Sequence, residues 1–199
     1  MVEMRIGVLA LQGAVEEHIE QIESLGAKAV PIKKPDELNS IDGLILPGGE
    51  STTMRRLIDR YHFLIPLQEF AAMQKPIFGT CAGMVLLAKE IADTESSHLG
   101  LMDIVVKRNA FGRQRESFEV QIEVAGFEER IPAVFIRAPY IDKASEKVEV
   151  LAQYEGHIVA ARQGNLLVSS FHPELTSDTR FLQLFIDMVS QCNVVETVS

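Results

Sequence analysis

The chain has 199 residues, 47% hydrophobic and 24% charged, enough apolar material for one sizeable core without covalent staples, so a single domain spanning 1–199 is expected. No apolar run is long enough to cross a bilayer, and Met1-Val2-Glu3-Met4-Arg5-Ile6 leads into a strand rather than a signal-peptide core, so a cytoplasmic protein is expected. A net charge of −9 opposes binding to nucleic acid, and the two cysteines, Cys81 and Cys192, lie in no pattern that suggests a disulfide framework or a zinc site.

In chain order, Ile6 to Leu9 reads as a buried strand. Val15, Ile19, Ile22 and Leu25 then recur at helical spacing up to Gly26, and Lys28 to Ile32 forms a second strand. Gly43-Leu44-Ile45-Leu46 is a third strand, stopped by Pro47-Gly48-Gly49, and Ser51 is placed to cap a helix that runs to Arg60. Ile77-Phe78 is the next strand, followed by the helical run Met84 to Ala88. This alternation predicts an α/β fold of three layers, a mostly parallel sheet with helices on both faces.

After Gly100 the chain is richer in strands: Ile104 to Lys107, Phe118 to Val124, Val134 to Ile136, Val148 to Tyr154, His157 to Ala161 and Leu166 to Ser170. Links at Gly126, Pro132, Gly156 and Gly164 suggest meanders or antiparallel additions to the same sheet. A last helix from about Asp178 carries Phe181, Leu184, Phe185 and Met188 on one face.

Two segments carry chemistry. Gly79-Thr80-Cys81-Ala82-Gly83 lies between a strand and a helix, the setting of a nucleophile elbow, where a sharp turn leaves no room for β-carbons beside the nucleophile. A strained backbone is expected at Cys81, whose place at a helix start favours the attacking thiolate. A free cysteine on its own is more often inert and buried, but the flanking glycines point to a nucleophile. Ser170-Phe171-His172-Pro173-Glu174 follows an apolar strand. In extended backbone residues two apart share a face, so Glu174 can hold one nitrogen of His172 while the other faces Cys81, giving a Cys-His-Glu triad. His18, His62, His98 and His157 have no such setting and are assigned no chemistry.

Together, Gly-Thr-Cys-Ala-Gly-Met and the late His-Pro-Glu resemble the class I, triad-type glutamine amidotransferases, with a flavodoxin-like core. Gly48-Gly49-Glu50-Ser51-Thr52-Thr53-Met54, Arg108-Asn109-Ala110-Phe111-Gly112-Arg113-Gln114 and Phe135-Ile136-Arg137-Ala138-Pro139 narrow the likeness to the glutaminase subunits of pyridoxal 5′-phosphate synthase, over nearly the whole chain. The resemblance implies hydrolysis of L-glutamine to glutamate, with ammonia passed to a separate barrel-shaped synthase subunit in a large hetero-oligomer, and no metal or organic cofactor. It implies oxyanion donors at Gly49 and Ala82 and glutamine contacts at Gly49, Glu50, Ser51, Arg108, Ile136 and Arg137. Arg55, Arg56, Arg113 and Arg115 form a locally basic set that could face the synthase. Two alternatives stay open, the ammonia-donating subunit of another synthase and a non-amidotransferase cysteine hydrolase of the same fold group.

Overall fold

The computed structural model describes residues 3–92, 94, 97–109, 111 and 116–198, with side chains as far as 193 in the last helix. Successive residues of a strand point to opposite faces, and the first strands are apolar on both. In β1 (Arg5–Leu9), Ile6 and Val8 pack into one core and Leu9 into the other. β3 (Gly43–Leu46) divides in the same way, Ile45 against Leu44 and Leu46, and so does β4 (Ile77–Thr80), Phe78 against Ile77. Two cores on two faces require helices on both sides.

One core is closed by α2 (Ser51–Arg60), α3 (Leu64–Ala72) and α4 (Ala82–Leu87), through Met54, Ile58, Leu67, Phe70 and the buried run Met84 to Leu87. The other is closed by α1 (Val15–Ser24), through Ile22, and α5 (Arg180–Val198), through Phe181, Leu182, Phe185 and Val189. Phe78 lies between Phe181 and Phe185, with ring centroids 5.7 and 5.6 Å away.

The remaining strands are β2 (Lys28–Ile32), β5 (Ala88–Ile91), β6 (Met102–Lys107), β7 (Ser117–Ile122), β8 (Ile131–Ile136), β9 (Tyr140–Ala144), β10 (Glu149–Tyr154), β11 (His157–Gln163) and β12 (Leu166–Ser169). The large sheet runs β2-β1-β3-β4-β12-β11-β9-β6-β5, with β10 paired to β11. From β2 to β12 every pairing is parallel; β12-β11, β11-β9 and β9-β6 are antiparallel. The chain reverses its direction of travel across the sheet at β1, and β12, from late in the sequence, lies directly beside β4. The carboxyl ends of β1, β3, β4 and β12 therefore open onto one crevice, the location at which doubly wound sheets hold ligands.

Several elements differ from expectation. β7 and β8 form their own two-stranded sheet instead of extending the large one. Phe118 stacks on Phe135 at 4.9 Å, and both pack on Tyr154 of β10, so aromatic side chains rather than a strand ladder join this hairpin to the large sheet. Ala88 belongs to β5, because α4 ends after six residues at Leu87. The last helix starts at Arg180; Asp178 stays outside it and accepts from the Arg180 backbone N–H at 3.1 Å. A 3-10 turn at Pro35–Ser40 and strand β9 were not anticipated.

Candidate active site

Thr80 ends β4, and the chain turns at Cys81 with φ 50° and ψ −102°, a left-handed backbone for a residue with a β-carbon. The turn is held from outside, since the Cys81 N–H donates to the Ser169 carbonyl of β12 at 2.7 Å and the Cys81 carbonyl accepts from Val85 N–H at 3.3 Å. The flanking glycines are steric requirements. A β-carbon at Gly79 would sit 2.5 Å from the Gly83 carbonyl, and one at Gly83 would sit 2.0 Å from the Leu46 carbonyl oxygen. The elbow is thus packed backbone to backbone against the end of β3.

His172 follows β12, and its N–H donates to the Val134 carbonyl at 2.8 Å. Pro173 starts a short 3-10 turn, Pro173–Leu175, that brings Glu174 back beneath the imidazole, with Nδ1 2.7 Å from Glu174 Oε1. Burial disfavours a charged imidazole, but hydrogen bonds to Cys81 and to Glu174 outweigh it and raise His172 to about 10. Burial likewise opposes the charge on Glu174, while His18 and the His172 hydrogen bond hold its carboxyl below the usual range. Cys81, His172 and Glu174 are each 7% exposed, so charges here are poorly screened by water.

Cys81 and His172 share a cavity of about 560 Å³ whose walls include Gln12, Gly48, Gly49, Glu50, Ser51, Ala82, Arg108, Ile136 and Arg137. That volume suits a small molecule. Every residue named from the sequence for oxyanion or substrate contact therefore lies on this one surface. The Cys81 thiol lies 3.9 Å from the Ile136 carbonyl oxygen, and Arg137 beyond it has φ 42°. Arg108 donates from Nη1 to Thr52 Oγ1 at 3.3 Å.

Glu50, not Ser51, caps α2. Its carboxylate accepts from the N–H groups of Thr52 (3.0 Å) and Thr53 (2.8 Å) and from the Thr53 hydroxyl (2.7 Å). The Thr53 hydroxyl leads these contacts in lowering Glu50 to about 2. A fixed anion thus lies at the cavity edge, with its orientation set by the helix. Ser51 is the first residue of α2 and is buried. In the basic set, Arg55 is held by Asp59 at 2.9 Å and by the His98 carbonyl, and Arg56 is exposed. Arg113 and Arg115, with Ala110, Gly112 and Gln114 of the motif, lie outside the described residues.

The model of the SNO glutamine amidotransferase family matches residues 8–191. The chain belongs to this family. The pyridoxal 5′-phosphate synthase subunit PdxT of Geobacillus sp. (strain WCH70) is 62% identical over 188 residues, 94% of this chain and 98% of that protein. PdxT of Geobacillus kaustophilus is 58% identical over 195 residues, 98% of this chain and all of that one. Among solved structures, a glutamine amidotransferase superposes with a TM-score of 0.89 at 44% identity, covering 93% of this chain and 98% of that one. PurLQS from Thermotoga maritima, at 17% identity, a TM-score of 0.68 and full coverage of both chains, shares the fold. The architecture is that of the class I glutamine amidotransferases, a mixed, mostly parallel sheet between helices.

In this family member three residues at the site escaped the sequence reading. Gln12, after β1, accepts from the Glu50 N–H through Oε1 at 3.0 Å and ties the Pro47 to Glu50 loop to the first crossover. Gln21 donates from α1 to the Pro173 carbonyl at 2.9 Å. His18, one turn earlier on the same face, is fully buried with Nε2 3.2 Å from Thr80 Oγ1 and 3.6 Å from Glu174 Oε2. Polar residues on the apolar side of a helix were the available signal for the last two. Among the described residues, no group of His, Cys, Asp and Glu could hold a metal, and no helix is long and apolar enough to cross a membrane.

Proposed function

We propose that this chain hydrolyses L-glutamine to L-glutamate and ammonia through Cys81, His172 and Glu174, and delivers the ammonia to a pyridoxal 5′-phosphate synthase barrel subunit in a hetero-oligomeric complex. Membership of the glutamine amidotransferase family and the identity to PdxT relatives support the reaction and the partner. The observation that carries the mechanism is the contact between His172 Nδ1 and Glu174 Oε1, 2.7 Å, beside a cysteine held at a left-handed elbow in the same cavity. The reading takes 1–199 as one glutaminase domain, acting in the cytoplasm and needing no cofactor.

With Nδ1 engaged by Glu174, Nε2 is the nitrogen left for chemistry. The Cys81 thiolate adds to the carboxamide carbon, and the oxyanion is met by the N–H groups of Gly49 and Ala82. As the C–N bond breaks, the His172 imidazolium gives its proton to the departing ammonia, leaving a thioester and a neutral imidazole. His172 then takes a proton from water, the hydroxide adds to the thioester, and C–S cleavage returns the thiolate and frees glutamate. Glu174 stabilises the imidazolium and fixes its orientation throughout. Glu50 and Arg108 offer opposite charges for the α-amino and α-carboxylate groups, with Ser51, the Ile136 backbone and Arg137 completing the pocket.

The test is ammonia release from glutamine in the presence of the synthase subunit, comparing the wild-type chain with Cys81→Ala and His172→Asn. Loss of at least a thousandfold in each is expected on the order seen when such units are broken. Unchanged release by either variant refutes the triad; stimulation only by an unrelated synthase refutes the assigned partner.

A further inference from the structure

Among the described residues, His18 is a buried histidine that the mechanism above leaves unused. It sits on the inner face of α1 with no exposed surface, between the strand that delivers Cys81 and the turn that delivers Glu174. Its Nε2 is 3.2 Å from Thr80 Oγ1 and faces Glu174 Oε2 at 3.6 Å, a charge–dipole contact longer than a hydrogen bond. Its Nδ1 has no hydrogen-bond partner among the described residues. The hydrogen therefore belongs on Nε2, because a buried lone pair without a donor is tolerated more easily than an N–H without an acceptor.

Glu174 supplies the other half of the argument. Oε1 is taken by His172, whereas Oε2 is buried with no hydrogen-bond donor among the described residues. A buried carboxylate oxygen left to itself favours protonation, which would disarm Glu174 as the partner of an imidazolium. The groups that face His18 are Glu174, His172 and its helix neighbour Glu17; those that face Glu174 are His18 and His172. Burial pushes His18 below its usual range against the pull of Glu174. The charged pair is accordingly His172 with Glu174, and what His18 presents to Oε2 is a neutral N–H. Gln21, on the same face of α1, holds the Pro173 carbonyl, so one helix fixes both the backbone and the free oxygen of the Glu174 turn.

We propose that His18 is a positioning residue for the triad, its neutral Nε2–H, shared with Thr80, keeping Glu174 ionised and turned toward His172. The proposal rests on the glutaminase reading for its purpose, but its physical content can be read without turnover. Ring ¹⁵N resonances of His172 in the full chain report protonation of Glu174 as a low-pH step. His18→Leu, which removes the N–H at similar volume, is expected to raise that step by about one unit; His18→Gln, which returns a neutral N–H near the same place, should restore it. The acid limb of kcat/KM for glutamine, measured with the synthase subunit, should move by the same amount.

A step unmoved in His18→Leu, or displaced equally in His18→Gln, overturns the proposal. If His18→Leu does not fold, Thr80→Val reads the same contact: freed of its second acceptor, the N–H turns wholly to Glu174 and the step falls by about half a unit. A rise or no change there is equally fatal. Should the wild-type complex release no Cys81-dependent ammonia, the glutaminase reading fails, while the ring titration still decides the role of His18.

Discussion

Replacing Gly48 with alanine would place a methyl carbon 2.4 Å from Cε1 and 2.9 Å from Nδ1 of His172. Ordinary contact needs about 3.4 Å or more, so roughly 1 Å of movement is unavoidable. The loop is poorly placed to yield, because the Gly48 carbonyl accepts from Ala14 N–H at 3.1 Å and the Glu50 N–H donates to Gln12 Oε1 at 3.0 Å. The imidazole must move instead, and it is tethered by the 2.7 Å contact to Glu174 and the 2.8 Å backbone bond to Val134. A displacement of about 1 Å in a reacting group costs about a hundredfold in rate, near 2.7 kcal/mol. The assay is the initial rate of ammonia release with the synthase subunit present, with thermal melting as a check on folding. A loss in kcat of that order, with slower labelling of Cys81 by a glutamine-analogue electrophile, is expected. A folded Gly48→Ala protein within threefold of wild type would refute the claim that the ring has no room to move.

Three further outcomes follow from the same geometry. With His172 raised to about 10, the imidazolium that the proposed mechanism uses to protonate the leaving ammonia persists through neutral pH, so the alkaline limb of kcat/KM should lie near that value; Glu174→Gln should bring this limb to lower pH, and an unmoved limb in a pH–rate series would deny Glu174 its part. Glu50→Gln removes the charge and leaves one acceptor oxygen, enough for the Thr52 or the Thr53 N–H but not both, since each bonds a different carboxylate oxygen, so KM for glutamine should rise at least tenfold while chemical denaturation detects a loss of about 1 kcal/mol. Gly83→Ala drives a methyl into the Leu46 carbonyl at 2.0 Å, backbone against backbone, and should destabilise the fold by about 3 kcal/mol, read calorimetrically as a fall in Tm of about 6–12 °C.

The parallel strands of the first half were readable because they are buried on both faces and appear as unbroken apolar runs, such as Ile6 to Leu9 and Gly43 to Leu46, whereas β12, expected among meanders or antiparallel additions, lies parallel beside β4. The elbow was readable for a related reason, since Gly79 and Gly83 record close backbone approaches in residue type alone. β5 was not, because Leu87-Ala88 continues a helical run and only tertiary packing ends the helix there. β9 escaped because Tyr140-Ile141-Asp142-Lys143-Ala144 is short and loses its apolar character halfway. Glu50 was singled out for charge, yet its capping role depends on the path of a loop that turns its carboxylate back onto α2. His18 illustrates the general difficulty: a residue on one helix gains meaning from Thr80 and Glu174, both distant in the chain, and no local pattern anticipates that meeting.

The adjacency of β4 and β12 has a consequence for how the site comes into being. Ser169 pairs with Thr80 across two parallel strands, and its carbonyl takes the Cys81 N–H at 2.7 Å. Everything needed to build β1, β3, β4 and the elbow has left the ribosome long before residue 166, but the strand that pins the elbow, and the His172 to Glu174 segment proposed to arm it, have not. During synthesis the thiol is carried on an open sheet edge with neither base nor clamp. On the proposed mechanism, closure of that edge and arming of the nucleophile are one event, so a chain interrupted before β12 should lack both a complete sheet and a working cysteine.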